Sequence, residues 1–162
     1  MEQRFETFTV LIAKISRNIR KIKNQEMAEY NLRSPHISCL YYLYLAGSLT
    51  STELCERCEE DKATISRSID FLEKNDYIVC KSNATKRYKS PLSLTEKGSV
   101  VGKKIADKIA RVLDDVSIGL TDNERNEFYK SLAIISKNLD NIANSIDWYI
   151  KIFEVNLWRQ KL

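Results

Sequence analysis

Residues 49–98 read LTSTELCERC EEDKATISRS IDFLEKNDYI VCKSNATKRY KSPLSLTEKG, and the fold is decided there. Thr50-Ser51-Thr52-Glu53 is a capping box: a threonine hydroxyl and a glutamate three residues later satisfy backbone donors that a helix start leaves unpaired. Leu49 and Leu54 flank it as a hydrophobic staple, so a helix begins at Ser51. That helix is short, because Glu59-Glu60-Asp61 offers turn chemistry and Asp61 can cap a further helix from Lys62 to about Asn75. Within the second helix Ile65, Ile69 and Leu72 share one face; Ala63, Thr64, Arg67 and Asp70 project on the other, with Lys62 and Ser66 at its margins. After Asn75-Asp76 the run Tyr77-Ile78-Val79-Cys80-Lys81 is rich in strand formers, and Leu92-Ser93-Leu94 answers it with period two, which predicts a hairpin. Every charged residue between Tyr77 and Leu94 is basic: Lys81, Lys86, Arg87 and Lys89. Two helices across a tight turn, followed by a basic hairpin, read as a winged helix-turn-helix, a module that presents one helix and one hairpin to double-stranded DNA.

Working outward, Thr95 caps a long helix whose apolar residues Val101, Ile105, Ile109, Val112 and Val116 recur at helical spacing until Gly119 interrupts it. A second capping box, Thr121-Asp122-Asn123-Glu124, restarts the chain. From there Phe128, Leu132, Ile135, Leu139, Ile142, Ile146, Tyr149 and Phe153 keep a heptad alternation with no glycine or proline between them. On the other side, Phe5, Phe8, Ile12, Ile15, Ile19 and Ile22 line one face of a first helix ending near Tyr30-Asn31; Lys14, Arg17, Arg20, Lys21 and Lys23 lie between them as a solvated basic face. Ser34-Pro35 supplies an N-cap and a first-turn proline for a short apolar helix through Ile37, Leu40, Tyr41, Tyr44 and Leu45, which Gly47 ends and which is expected to be almost wholly buried.

The C-terminal stripe runs past the length a small winged domain can cover, and Trp148, Tyr149, Phe153 and Trp158 add apolar area that is costly to leave wet. The terminal seams are therefore expected to join two copies, through Phe5, Phe8 and Ile12 at one end and Leu132, Ile135, Leu139, Ile142, Ile146 and Tyr149 at the other. The expected fold is mainly α with a small β-hairpin wing: a dimerisation helix over 1–32, a winged helix-turn-helix over 33–98, and C-terminal dimerisation helices over 99–162.

Composition agrees. With 4 Gly and 2 Pro in 162 residues, long uninterrupted helices are favoured over a sheet-rich architecture, and 43% hydrophobic content can fill a core. The net charge of +4 is a weak argument for a nucleic-acid partner, so the clustering of basic residues in the hairpin matters more than the total. No secretory signal opens the chain and no apolar run approaches the roughly 20 residues of a membrane span, which makes the cytoplasm the expected compartment and excludes a membrane partner.

Thr52-Glu53-Leu54, then Asp61-Lys62-Ala63-Thr64-Ile65-Ser66-Arg67, Asp70-Phe71-Leu72-Glu73-Lys74 and Leu94-Thr95-Glu96-Lys97-Gly98 resemble the MarR family of bacterial transcription regulators. The resemblance covers about Phe5 to Asn144 in element order and is specific at residue level over Leu49 to Gly98. It implies a homodimer with interleaved first and last helices and recognition helices in successive major grooves, about 34 Å apart on a pseudo-palindromic operator. It also implies that Lys62, Ala63, Thr64, Ser66 and Arg67 face bases and phosphates, Arg67 being best suited to bidentate guanine reading. Ser51 and Thr52 would face backbone phosphate, and Lys86, Arg87 and Lys89 would act from the wing. One departure stands out: the family's wing usually carries Asp-x-Arg, whereas this chain has Thr85-Lys86-Arg87 and one more residue before Leu94, so the expectation is either a less ordered Arg87 or a wing in which Lys86 and Lys89 replace orientation by charge, with less specific and more salt-dependent contacts. The family also places an effector pocket among the first, second and fifth helices, for which His36, Tyr41 and Tyr44 are the candidates for meeting a small molecule.

The remaining reactive residues point to no cofactor. Cys55-Glu56-Arg57-Cys58 is a lone Cys-x-x-Cys without a second pair, so zinc is not expected and both sulfurs are read as inert packing beside Leu54, with redox sensing as the alternative. There is no Gly-rich phosphate loop, nucleophile elbow or His-Glu-x-x-His, and one histidine in total, which argues against an enzyme. The competing reading is a winged helix that binds protein rather than DNA; Lys62, Arg67, Lys86, Arg87 and Lys89 argue against it.

Overall fold

The computed structural model describes the backbone of residues 2–80 and 90–159 and the side-chain environments of residues 7–80 and 90–145. The wing residues Lys86, Arg87 and Lys89 lie outside the described residues, as do the side chains of Phe5, Ile146 and Tyr149. The elements are α1 (Glu2–Glu26), a single 3-10 turn (Ala28–Tyr30), α2 (Ser34–Ala46), β1 (Ser48–Leu49), α3 (Ser51–Cys58), α4 (Lys62–Lys74), β2 (Ile78–Cys80), β3 (Leu92–Leu94), α5 (Glu96–Val116) and α6 (Asp122–Arg159). The chain is mostly helical with one small antiparallel sheet, ordered β1-β3-β2, in which Leu92 faces both Leu49 and Cys80. β1 is a third strand that the sequence did not announce, because two residues are too few to show a period.

Two compact units divide the chain, Met1–Leu113 and Asp114–Leu162. In the first, α2 is the hub, packed against α1, α3, α4 and the sheet. Ile37, Leu40 and Leu43 of α2 are fully buried with Leu54 of α3, Ile65 and Leu72 of α4 and Ile105 of α5. Burying a side chain of this kind contributes about 1.5–3 kcal/mol, so these contacts dominate the unit's stability. The expectation that α2 is buried almost throughout needs correction: its last turn leaves Tyr44 and Leu45 exposed, at 37% and 58%. The chain also leaves α1 earlier than expected, at Glu26, and turns through the 3-10 segment to Asn31, which sits in the left-handed region at φ 54°.

Ser34 is the first helical residue of α2 rather than its cap. Its N–H donates to Asn24 Oδ1 at 2.8 Å, and the cap is supplied by His36, whose Nδ1 accepts from the Arg33 N–H at 3.2 Å. The imidazole also stacks on Phe71 of α4, with centroids 4.2 Å apart and planes 5° from parallel. Protonation would place a hydrogen on the nitrogen that must accept, and burial followed by the nearby Arg33 charge already holds His36 below its ordinary value of 6.5. For a group depressed in the folded state, the stabilisation is complete above the unfolded value and declines as pH falls from there toward the folded one. The thermal midpoint is therefore expected to drop as pH is lowered from about 7 through 6. His36→Gln, which keeps an acceptor, should flatten that decline; an unchanged slope would show that the cap does not titrate.

In the second unit Gly119, at φ 92°, ends the turn after α5, and Thr121 caps α6. Thr121 Oγ1 accepts from Glu124 N–H at 3.3 Å while Glu124 Oε2 accepts from Thr121 N–H at 2.8 Å, the reciprocal pair expected from the sequence. Along α6 Phe128, Leu132, Ile135, Leu139 and Ile142 are 36% to 55% exposed. α1 likewise exposes Phe8, Leu11, Ile12, Ile15 and Ile19.

Candidate nucleic-acid interface

The turn between α3 and α4 is fixed from both sides. Thr50 Oγ1 accepts from Glu53 N–H, and Glu53 Oε2 accepts from Thr50 N–H at 2.7 Å, which holds the Glu53 carboxyl below the usual carboxylate range. Glu59 caps the end of α3 at φ 52°, and Asp61 then starts α4, Oδ1 accepting from Thr64 N–H at 2.9 Å. The Thr64 hydroxyl donates to Asp61 Oδ2 at 2.7 Å, and these bonds hold Asp61 below its ordinary value. The same hydroxyl accepts from Arg67 Nη2 at 3.2 Å. A chain from Asp61 through Thr64 thus orients the Arg67 guanidinium on the exposed face of α4, a link the sequence places on one helix face but does not specify.

Ser51, Thr52, Lys62, Ser66 and Asp70 line one concavity of about 420 Å³ between α3, α4 and β3, floored by Ile65, Ile69 and Leu92. Four of the residues expected to face DNA are gathered there, and Ala63 and Arg67 are exposed on α4 beside them. Thr64 is half-buried with its hydroxyl already engaged by Asp61 and Arg67, so in this state it acts on Arg67.

The far end of α4 is held by the motif Leu94-Thr95-Glu96-Lys97-Gly98. Thr95 Oγ1 donates to Asp76 O at 2.7 Å and accepts from Gly98 N–H at 3.0 Å, and Thr95 N–H donates to Tyr77 O at 3.1 Å. Lys97 Nζ donates to Asn75 O at 2.7 Å and lies 4.3 Å from the centre of the Tyr77 ring. What reads in the sequence as the exit from the wing is therefore a clamp on the C-terminal end of α4, tying its orientation to α5.

A second cavity, about 220 Å³, opens between α1, α2 and α5 and is lined by Ile22, Lys23, Tyr41, Tyr42, Lys108 and Val112 among others. Of the residues expected to meet an effector, Tyr41 lines it; His36 stacks on Phe71, and Tyr44 packs against the site of Gly102. Sequence reasoning missed Lys23, which belongs to no solvated face: it is half-buried, donates to Ser38 Oγ at 3.0 Å, and burial lowers its affinity for a proton. Its only signal was its place at the seam's edge, one residue after Ile22. Lys108 at the opposite wall pairs with Glu26 at 3.3 Å.

Cys55 and Cys58 pack against the core, as expected, but are not fully enclosed by it. Cys39 is the fully buried one, whereas Cys55 and Cys58 are half-buried. No group of histidine, cysteine and carboxylate side chains that could hold a metal occurs among the described residues.

No family model matches the chain. The HTH-type transcriptional regulator SarZ of Staphylococcus aureus is 26% identical over 127 residues, 78% of this chain and 84% of that protein. A MarR family regulator from Neisseria meningitidis superposes with a TM-score of 0.76 at 20% identity, over 88% of this chain and 97% of its own, which shows a shared fold. A MarR family protein from Listeria monocytogenes, crystallised with 26mer DNA, superposes with a TM-score of 0.72 at 27% identity, over 79% of this chain and 85% of its own. The structural neighbours are thus MarR family regulators, and the resemblance drawn from residues 49–98 holds for the fold as a whole.

Proposed function

We propose that this chain, built on the winged-helix fold of the MarR regulators, is a cytoplasmic, dimeric, sequence-specific DNA-binding repressor that a small molecule or an oxidant releases from its operator. The observation that carries this reading is the convergence of Ser51, Thr52, Lys62 and Ser66 on one concavity, with Arg67 oriented beside it at the exposed start of α4. Small polar side chains with two cations on a projecting helix fit a major groove, and the Listeria protein's DNA complex supports the same partner here. In this reading Lys62, Ala63, Ser66 and Arg67 meet bases and phosphates, Thr64 holds Arg67, Ser51 and Thr52 meet backbone phosphate, and Lys86, Arg87 and Lys89 act from the wing. Residues 33–98 read DNA, while 1–32 and 99–162 supply the dimer through Phe8, Ile12, Leu132, Ile135, Leu139 and Ile142. The effector enters the cavity beside Tyr41, Tyr42 and Lys23, where movement of α1 or α5 would shift the spacing of the two recognition helices.

Arg67→Ala is expected to weaken operator binding by about 1–3 kcal/mol and to relax preference at one base pair of each half-site. Lys62→Ala should instead weaken binding to all sequences and lower the salt slope by about one. Competition binding across single-base operator variants separates these outcomes; undiminished discrimination in Arg67→Ala would remove α4 from base reading.

A further inference from the structure

We infer that the side-chain amine of Lys23 is a covalent capture site for small apolar aldehydes, which it binds as an imine inside the cavity between α1, α2 and α5. Lys23 stands on the α1 wall of that cavity and Ser38 on the α2 wall, and Nζ donates to Ser38 Oγ at 3.0 Å. The amine is therefore held against the cavity, whereas Lys14 and Lys21 of the same helix are exposed. Its partner there is a neutral hydroxyl. Lys108 on the α5 wall is the contrast, because its ammonium is paired with the carboxylates of Glu26 at 3.3 Å and Glu29 at 3.9 Å. An amine in apolar surroundings gives up its proton more readily, and the neutral amine is the nucleophile that a carbonyl compound requires. Burial lowers the affinity of Lys23 for a proton against the opposing effect of Cys58 and Glu60, and Arg20 adds to it. Much of the remaining wall is Ile22, Ile37, Ile105, Ile109 and Val112, around a volume of about 220 Å³. An apolar cavity of about 150 Å³ holds a benzene molecule, so an aromatic or short-chain aldehyde fits here. A sugar aldehyde does not, because its hydroxyls would find few partners on such walls.

The Nζ lone pair adds to the carbonyl carbon, the C=O π pair moves to oxygen, and that oxygen takes one N–H proton to give a carbinolamine. The nitrogen lone pair then expels the hydroxyl, which takes the second N–H proton and leaves as water, and a C=N bond remains. No oxidant or reductant is consumed, and hydrolysis reverses the step. The adduct has no N–H left, so the contact with Ser38 survives only with the serine hydroxyl donating to the imine nitrogen. The apolar body of the aldehyde then lies between α1 and α5. Because α5 begins at the clamp that Thr95 and Lys97 make on the end of α4, displacing it reaches the DNA-reading helix. That consequence rests on the function proposed above; the adduct does not.

The full-length protein is incubated near neutral pH with one equivalent of benzaldehyde and with cyanoborohydride, which fixes an imine as a benzylamine, and is digested after glutamate. Lys23 then lies in residues 7–26 with Lys14 and Lys21, two exposed lysines that serve as internal standards. Fragmentation of that peptide is expected to place the benzyl group on Lys23 roughly tenfold or more over either neighbour. Lys23→Met should take up no such label, and Ile109→Phe, which fills part of the cavity and leaves the amine in place, should lower it. Equal labelling of the three lysines, label confined to the α-amine of the chain, or undiminished labelling in Ile109→Phe would overturn the site. Benzyl alcohol matches the aldehyde in shape but cannot condense. Without cyanoborohydride, affinity for the DNA upstream of the coding sequence should fall roughly tenfold or more in excess benzaldehyde, recover on its removal, and stay unchanged in benzyl alcohol. Equal release by the alcohol, or unchanged affinity in protein labelled at Lys23, would overturn capture as the release signal. A protein that binds no DNA before aldehyde is added would instead refute the DNA-reading function and leave the adduct standing.

Discussion

Ile135→Glu combined with Leu139→Glu should convert the protein to a single-chain species and abolish operator binding while leaving its fold intact. Both side chains are already substantially exposed on α6, at 37% and 50%, so a charge there meets water in an isolated chain. In a dimer each would be covered, and burying a Leu or Ile contributes about 1.5–3 kcal/mol, a gain lost twice in every subunit. Replacing it with like charges on facing helices adds desolvation and repulsion, and the sum is comparable to the free energy that holds many dimers together. Two half-sites bound by unlinked chains lose the advantage of the effective concentration that joins them. Sedimentation equilibrium of the variant should report one chain where the parent reports two, with an unchanged helical circular dichroism spectrum. A variant that remains dimeric would move the subunit contact away from α6.

Gly98→Ala is expected to be the most destabilising single methyl in the chain. A Cβ built at this position lies 1.8 Å from the carbonyl oxygen of Tyr77, which cannot move freely because it already accepts from Thr95 N–H and lies within the clamp on α4. Overpacking a rigid site typically costs about 1–3 kcal/mol, and here backbone is the obstacle, so a loss of about 3 kcal/mol or more is expected. Gly102→Ala is the control. Its Cβ would meet the Tyr44 Cβ at 3.0 Å and a terminal Leu94 carbon at 3.3 Å, and side chains can yield. The intrinsic preference of a helix for alanine over glycine, about 1 kcal/mol, offsets much of that crowding. Urea denaturation of the two variants should therefore separate them clearly; similar midpoints would mean that the chain relaxes around residue 98 and that the clamp is loose.

The parts legible in the sequence are those set by chemistry between near neighbours. Thr50 with Glu53, Asp61 with Thr64 and Thr121 with Glu124 each place donor and acceptor three residues apart, so three helix starts could be read directly. The buried face of α4, with Ile65, Ile69 and Leu72, followed from spacing alone. Distant convergence was hidden. Lys23 reads as one more cation on a solvated stripe until α2 brings Ser38 to it. His36 follows a proline and looks free to meet a ligand, yet its ring is committed to the Arg33 N–H and to Phe71. The motif ending at Gly98 was recognisable as a pattern, but its work as a clamp on α4 depends on Asn75 and Asp76 reaching it through the hairpin.

The most direct measurement is a titration of the purified protein onto the DNA upstream of its own coding sequence and onto a scrambled duplex of equal length, each at two salt concentrations. A dimer that reads bases with α4 should hold the genuine sequence roughly a thousandfold or more tightly than the scrambled one, and that ratio should persist when added salt weakens both. Equal affinities that fall in parallel with salt would leave only charge attraction, and would turn the exposed face of α4 into a surface for a protein partner instead.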